Sequence, residues 1–175
     1  MNIHPIFVHF PIALLSTYAV LELIRFKIVK NQLYWFYVKS VLVILGTLGG
    51  LASLLTGDIA KELVTDNSYL PLINTHEFWA KTSVVIFSIL ASGYAVAWIR
   101  KYDRAFIKNI SMFSGVWQVI LRIQVLITDT RLVVVLALAG IAALFITGAL
   151  GGSIVYGHEG DPVTNWIYRL FVPGS

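Results

Sequence analysis

The sequence predicts an all-α integral membrane protein, a four-helix bundle with both termini on the outer side. Three observations carry this prediction. Four stretches are apolar over the length of a bilayer crossing, the charged residues gather between them, and Lys and Arg crowd into alternate connections. Composition agrees. Of 175 residues, 58% are hydrophobic and 13% charged, and the mean hydropathy is +0.80. A soluble domain of this size needs more polar surface than that.

A spanning helix takes about 20 mostly apolar residues, because the hydrocarbon core is about 30 Å thick and the rise is about 1.5 Å per residue. The spans are expected at 5–26, 36–56, 77–99 and 132–156, within a single membrane domain of 1–175. The start, Met1 to Pro5, lacks the positive n-region of a secretory signal, so the first apolar run is expected to be a retained helix. Between the third and fourth spans, 105–128 carries Lys108, Ser111, Ser114, Gln118 and Arg122 at intervals of three or four. One wet stripe on an apolar helix predicts an amphipathic helix in the interface, with a fifth crossing as the alternative.

Orientation follows from the basic residues. Arg25, Lys27, Lys30 and Lys39 follow the first span, and Arg100, Lys101, Arg104, Lys108, Arg122 and Arg131 follow the third. Opposite them stand Lys61 and Arg169, with Lys81 inside the third span and with Asp58, Glu62, Asp66, Glu77, Glu159 and Asp161. The formal charge of +4 therefore reads as an orientation signal and not as a nucleic-acid surface. At the tail, Asp161 is placed to cap and Pro162 to open a short surface helix over 162–171. Val163, Trp166, Ile167, Leu170 and Phe171 supply its apolar stripe, with Tyr168 and Arg169 at headgroup depth.

Several chemistries are excluded. The chain has no cysteine, hence no disulfide, thiolate metal site or cysteine nucleophile. It carries no Walker loop, dinucleotide glycine fingerprint, His-Glu-x-x-His or serine elbow. No acidic residue falls at the centre of a span, which argues against a pump or transporter.

All four histidines, His4, His9, His76 and His158, map to the outer ends of spans. His9 lies within an apolar run, where ionisable side chains are costly and usually functional. Imidazole ligates metals and haem iron. His4 and His9 sit five apart, about 140° around a helix, so they cannot both face one bundle centre. Pro11 is expected to kink that helix near Phe7. The bland reading is a set of interfacial or hydrogen-bonding histidines. Helix two carries Gly46, Gly49, Gly50, Ser53 and Gly57 along one side, and helix four carries Ala143, Thr147, Gly148, Gly151 and Gly152. Such strips allow close helix packing or leave room for a flat macrocycle. Lys81 is placed to pair with Glu77 four residues earlier.

The opening His4-Pro5-Ile6-Phe7-Val8-His9-Phe10-Pro11-Ile12, with Thr56-Gly57, His76 and the closing Gly151, Gly152, Val155, Tyr156, His158 and Gly160, resembles the bacterial membrane proteins of domain-of-unknown-function family 2231. The resemblance covers most of the chain. It implies four helices, a shared histidine set and a bacterial cytoplasmic membrane, and relatives joined to c-type cytochrome modules hint at redox work.

The reading expected from all this is an electron-transfer protein rather than a stand-alone enzyme. It would bind haem b, one or two, through His4, His9, His76 and His158, and pass electrons between quinol and a c-type cytochrome outside the membrane. His9 with His76 or His158 is the favoured axial pair, and Asp58, Tyr156, Gly49, Gly50, Gly151 and Gly152 form the surrounding layer. The rivals are a Zn²⁺ or Cu²⁺ site built from the same histidines with nearby carboxylates, and a structural subunit. The bilayer is the expected surrounding and a homo-oligomer is allowed.

Overall fold

A computed structural model describes residues 4–24, 32–102, 114–157 and 159–172, with the side chains of 33, 102 and 114 left aside. The elements are α1 His4–Leu23, α2 Leu33–Glu62, a single 3₁₀ turn Asn67–Tyr69, α3 Leu70–Tyr102, α4 Ser114–Thr128, α5 Leu132–Tyr156 and α6 Pro162–Phe171. Four helices, α1, α2, α3 and α5, are long and apolar enough to cross a membrane. They run alternately up and down and close a ring in which α1 packs on α2, α2 on α3, α3 on α5 and α5 on α1.

Helices α2 and α3 outrun the expected 36–56 and 77–99. Hydropathy marks only the part in hydrocarbon, and these helices continue into the polar zone. His76 consequently sits inside α3 rather than at its start. Helix α4 occupies 114–128 and packs on α3 and α5. Its described part, 15 residues, is about 22 Å long, less than a bilayer crossing by itself. The expected stretch 105–113, with Lys108 and Ser111, lies outside the described residues, while Gln118 and Arg122 are exposed as a wet stripe requires.

Pro11 lies within α1 and is buried. Having no N–H, it leaves the Phe7 carbonyl without its helical donor. Ser53 of α2 answers in part, its Oγ–H shared between Phe7 O and Gly49 O of its own helix, each at 3.0 Å. In a bilayer such compensation has to come from protein.

Glycines set the close approaches. A Cβ on Gly46 would lie 2.6 Å from Leu15, one on Gly49 3.2 Å from Phe10, and one on Gly140 2.8 Å from the Phe87 ring. Around Phe87 the middle of the bundle is filled by Leu15, Tyr18, Val43 and Leu90, all essentially without exposure. Gly148 departs from the expected packing role, since nothing lies within 4 Å of a Cβ placed there. It lines an open apolar groove with Ile12, Ser16 and Val163.

The tail forms as the sequence indicates. Asp161 Oδ1 accepts from the N–H groups of Val163 and Thr164, both at 2.9 Å, and Pro162 opens α6. Ile167 packs with Leu72, Leu150 and Val172, and Phe171 meets Trp79 edge-on at 5.0 Å. Val163, Trp166 and Leu170 of the same stripe remain exposed. The stripe is thus split between the bundle and the surroundings.

Candidate functional site at the histidine end of the bundle

Each long helix contributes to one end of the bundle. His4 begins α1, Thr56 and Gly57 lie near the end of α2, His76 lies in the early turns of α3, and Thr147 and Gly151 lie late in α5. Antiparallel connection brings all of these to one level.

His76 Nδ1 lies 2.9 Å from the Thr147 carbonyl oxygen. A carbonyl only accepts, so Nδ1 carries the proton and the neutral ring keeps its lone pair on Nε2. His4 reaches the same state by a longer route. Its Nδ1 lies 3.0 Å from Thr56 Oγ1, whose hydroxyl hydrogen is committed to the Ser53 carbonyl at 3.0 Å. Thr56 therefore accepts and His4 Nδ1–H donates. Each ring lies over a glycine, since a Cβ on Gly57 would sit 3.2 Å from His4 Cε1 and one on Gly151 3.2 Å from His76 Cε1. The arrangement presents two oriented imidazoles from separate helices at one end of the bundle, and the neutral His76 ring keeps its lone pair on Nε2.

His9 does not share in this arrangement. His9 is exposed, and its Nδ1 is 2.6 Å from the Pro5 carbonyl of its own helix. The separation of about 140° from His4 turns it away from the face that carries His4. His158 lies outside the described residues. Of the expected surrounding layer, Gly151 does pack on an imidazole. Gly49 and Gly50 instead face Phe10 and Val84, and Gly152 faces Thr164 at 4.0 Å. Tyr156 is 83% exposed and Asp58 is exposed, because both fall where their helices leave the bundle.

Beside the histidines, Lys61 of α2 donates to Glu77 at 2.6 Å and to Asn74 at 2.8 Å. Lys81 takes the other Glu77 oxygen, as its spacing suggested. Outside the spans, Asp66 is held below the usual carboxylate range by the backbone N–H and hydroxyl of Ser68. Asp161 is held below it by the Thr164 hydroxyl and N–H, and by the Val163 N–H. Among the described residues, no group of three or more His, Asp or Glu side chains converges as a metal site.

A second polar cluster, unforeseen from the sequence, occupies the opposite end. Glu22 of α1 is 4% exposed. Its carboxylate accepts from Lys39 of α2, with both oxygens 3.0 Å from Nζ, and from the Tyr94 hydroxyl of α3 at 2.7 Å. The Tyr18 and Tyr94 rings meet edge-on at 5.8 Å. A signal was present, for Glu22 follows His4 by eighteen positions. That is five whole turns, so both belong to the same inward face.

No curated protein and no solved structure matches the chain. One family model matches, that of DUF2231, described as a predicted membrane protein, and it covers residues 1–162. The four spans and the histidine-bearing opening are thus those of a family whose description goes no further than the membrane, and this chain belongs to the DUF2231 family.

Proposed function

We propose that the protein is a b-type cytochrome-like electron carrier that holds haem through His4 and His76. In this reading the histidine end faces outward from a bacterial cytoplasmic membrane, by the ten-to-two distribution of basic residues. Electrons pass between membrane quinol and an outer redox partner such as a c-type cytochrome. Iron ligated by two imidazoles supplies reversible one-electron transfer.

The observation that carries the proposal is the tautomer of the pair. Metal-bound histidines characteristically donate the other ring N–H to a carbonyl or carboxylate, which fixes ring orientation and leaves the ligating nitrogen basic. His76 has that partner in the Thr147 carbonyl and His4 has its equivalent in Thr56. The revision from His9 to His4 rests on this geometry. The Zn²⁺ or Cu²⁺ reading has less support, because two of its four candidate carboxylates are otherwise engaged and the other two, Asp58 and Glu159, are exposed. Glu77 binds two lysines and Asp161 caps α6.

The test is the absorption spectrum of detergent-purified protein from haem-replete cells. A low-spin b-type spectrum is expected. His4→Ala and His76→Ala should each abolish it, and His9→Ala should retain it. A colourless protein with stoichiometric zinc or copper would overturn the haem reading in favour of the metal site.

A further inference from the structure

At the end opposite the histidines, the basic side chains are the ones left uncompensated. Arg100 and Lys101 close α3, Arg122 lies on α4, and Arg131 precedes α5; all four are exposed. Two acids accompany them among the described residues. Glu22 is consumed by Lys39 and Tyr94, and Asp129 accepts from the Thr128 hydroxyl. No ion pair among the described residues involves any of the four cations.

Their setting is amphipathic. The Lys101 ammonium lies 4.7 Å from the Phe36 ring centre and 5.3 Å from that of Tyr37, aromatic faces that hold a cation without neutralising it. Helix α4 is locked against the bundle, where a Cβ on Gly93 would meet Ile127 at 2.9 Å. It nevertheless leaves Val116, Val119 and Ile123 exposed beside Arg122. Apolar side chains that need hydrocarbon and cations that need anions thus share one rim at the level where spans α3 and α5 meet the surface. A helix of this kind lies at the boundary between headgroups and acyl chains.

We infer that this rim is a recognition surface for anionic phospholipid headgroups, in which Lys101, Arg122 and Arg131 hold phosphate while α4 buries its apolar side chains among the acyl chains. The inference does not depend on the cofactor reading, since the two surfaces lie at opposite ends. Neither ligand alone satisfies the rim. Free phosphate offers nothing to Val116 and Val119, and a zwitterionic lipid brings its own cation to the phosphate.

The test uses the full chain in a neutral detergent, titrated separately with phosphatidylglycerol, phosphatidylcholine and inorganic phosphate while the thermal midpoint is read. Phosphatidylglycerol should bind more tightly than phosphatidylcholine at low salt, with the preference shrinking as salt rises, and phosphate alone should have no effect. Each basic residue near an anionic surface is worth about 1 kcal/mol, so Arg122→Gln and Arg131→Gln should each weaken phosphatidylglycerol binding about fivefold. Arg122→Lys/Arg131→Lys should keep most of the preference, and Arg169→Gln at the far end should keep all of it. Equal affinity for the two lipids, an equal response to free phosphate, or an unchanged preference in Arg122→Gln/Arg131→Gln would overturn the inference.

Discussion

Lys39→Met isolates the buried cluster formed by α1, α2 and α3. In the native protein Glu22 has a side chain 4% exposed and Lys39 one 14% exposed, and the carboxylate takes hydrogen bonds from Lys39 and Tyr94. Removing Lys39 strands a carboxylate with one neutral donor. Breaking a buried ion pair on one side costs about 3 to 5 kcal/mol. The residual exposure of Lys39 admits water to its end of the pair, so the expectation lies near the lower limit, about 3 kcal/mol. That is about two orders of magnitude in the folding equilibrium constant. Glu22→Gln/Lys39→Met removes both charges and keeps an acceptor for Tyr94, so the double variant should fall within about 1 kcal/mol of the parent. Unfolding in mixed micelles, followed by tryptophan fluorescence, gives the four corners of the cycle. A single variant as stable as the parent, or a double variant no better than the single, would show that the pair is hydrated and contributes no coupling.

Gly140→Leu should prevent native packing, since its Cβ alone would lie 2.8 Å from Phe87, whereas Gly148→Leu enters open space and should leave the thermal midpoint nearly unchanged. Gly157 has φ +82° and ψ 156°, a conformation that side chains strongly disfavour. Gly157→Ala should cost about 1 to 3 kcal/mol, read as a lowered midpoint with the spectrum of any bound haem intact. Asp161 is held below its ordinary pKa by Thr164 and Val163, so its cap is fully present above the unfolded carboxylate value and is lost as pH falls through the lowered one. Trp166 fluorescence should report fraying of α6 in that acid window, and Asp161→Asn, which keeps an acceptor without the charge, should flatten the transition.

The four spans were legible because hydropathy over a bilayer's thickness leaves few alternatives, and the cap of α6 because Asp-Pro carries its own local chemistry. The Glu77–Lys81 pair was likewise readable from spacing. The histidine end was readable only as a group. Choosing between His4 and His9 needed the rotation of α1, which is set by Leu15 entering the notch at Gly46 and by Ser53 answering the carbonyl that Pro11 leaves bare. A glycine strip announces closeness without naming the neighbour, so Gly151 against His76 and Gly148 against nothing look alike in sequence. Glu22 escaped notice because it sits near the end of a span, where a charge ordinarily reaches water. Its burial depends on Lys39 and Tyr94, which meet it only when three helices assemble.

The packed centre around Phe87 has a consequence for any chemistry at the ends. His4 and Glu22 are about 27 Å apart along α1, and between them Leu15, Tyr18, Val43, Phe87 and Leu90 exclude solvent. Such a stack is a proton insulator. Any proton exchanged at the histidines would therefore be drawn from and returned to the aqueous phase at that end.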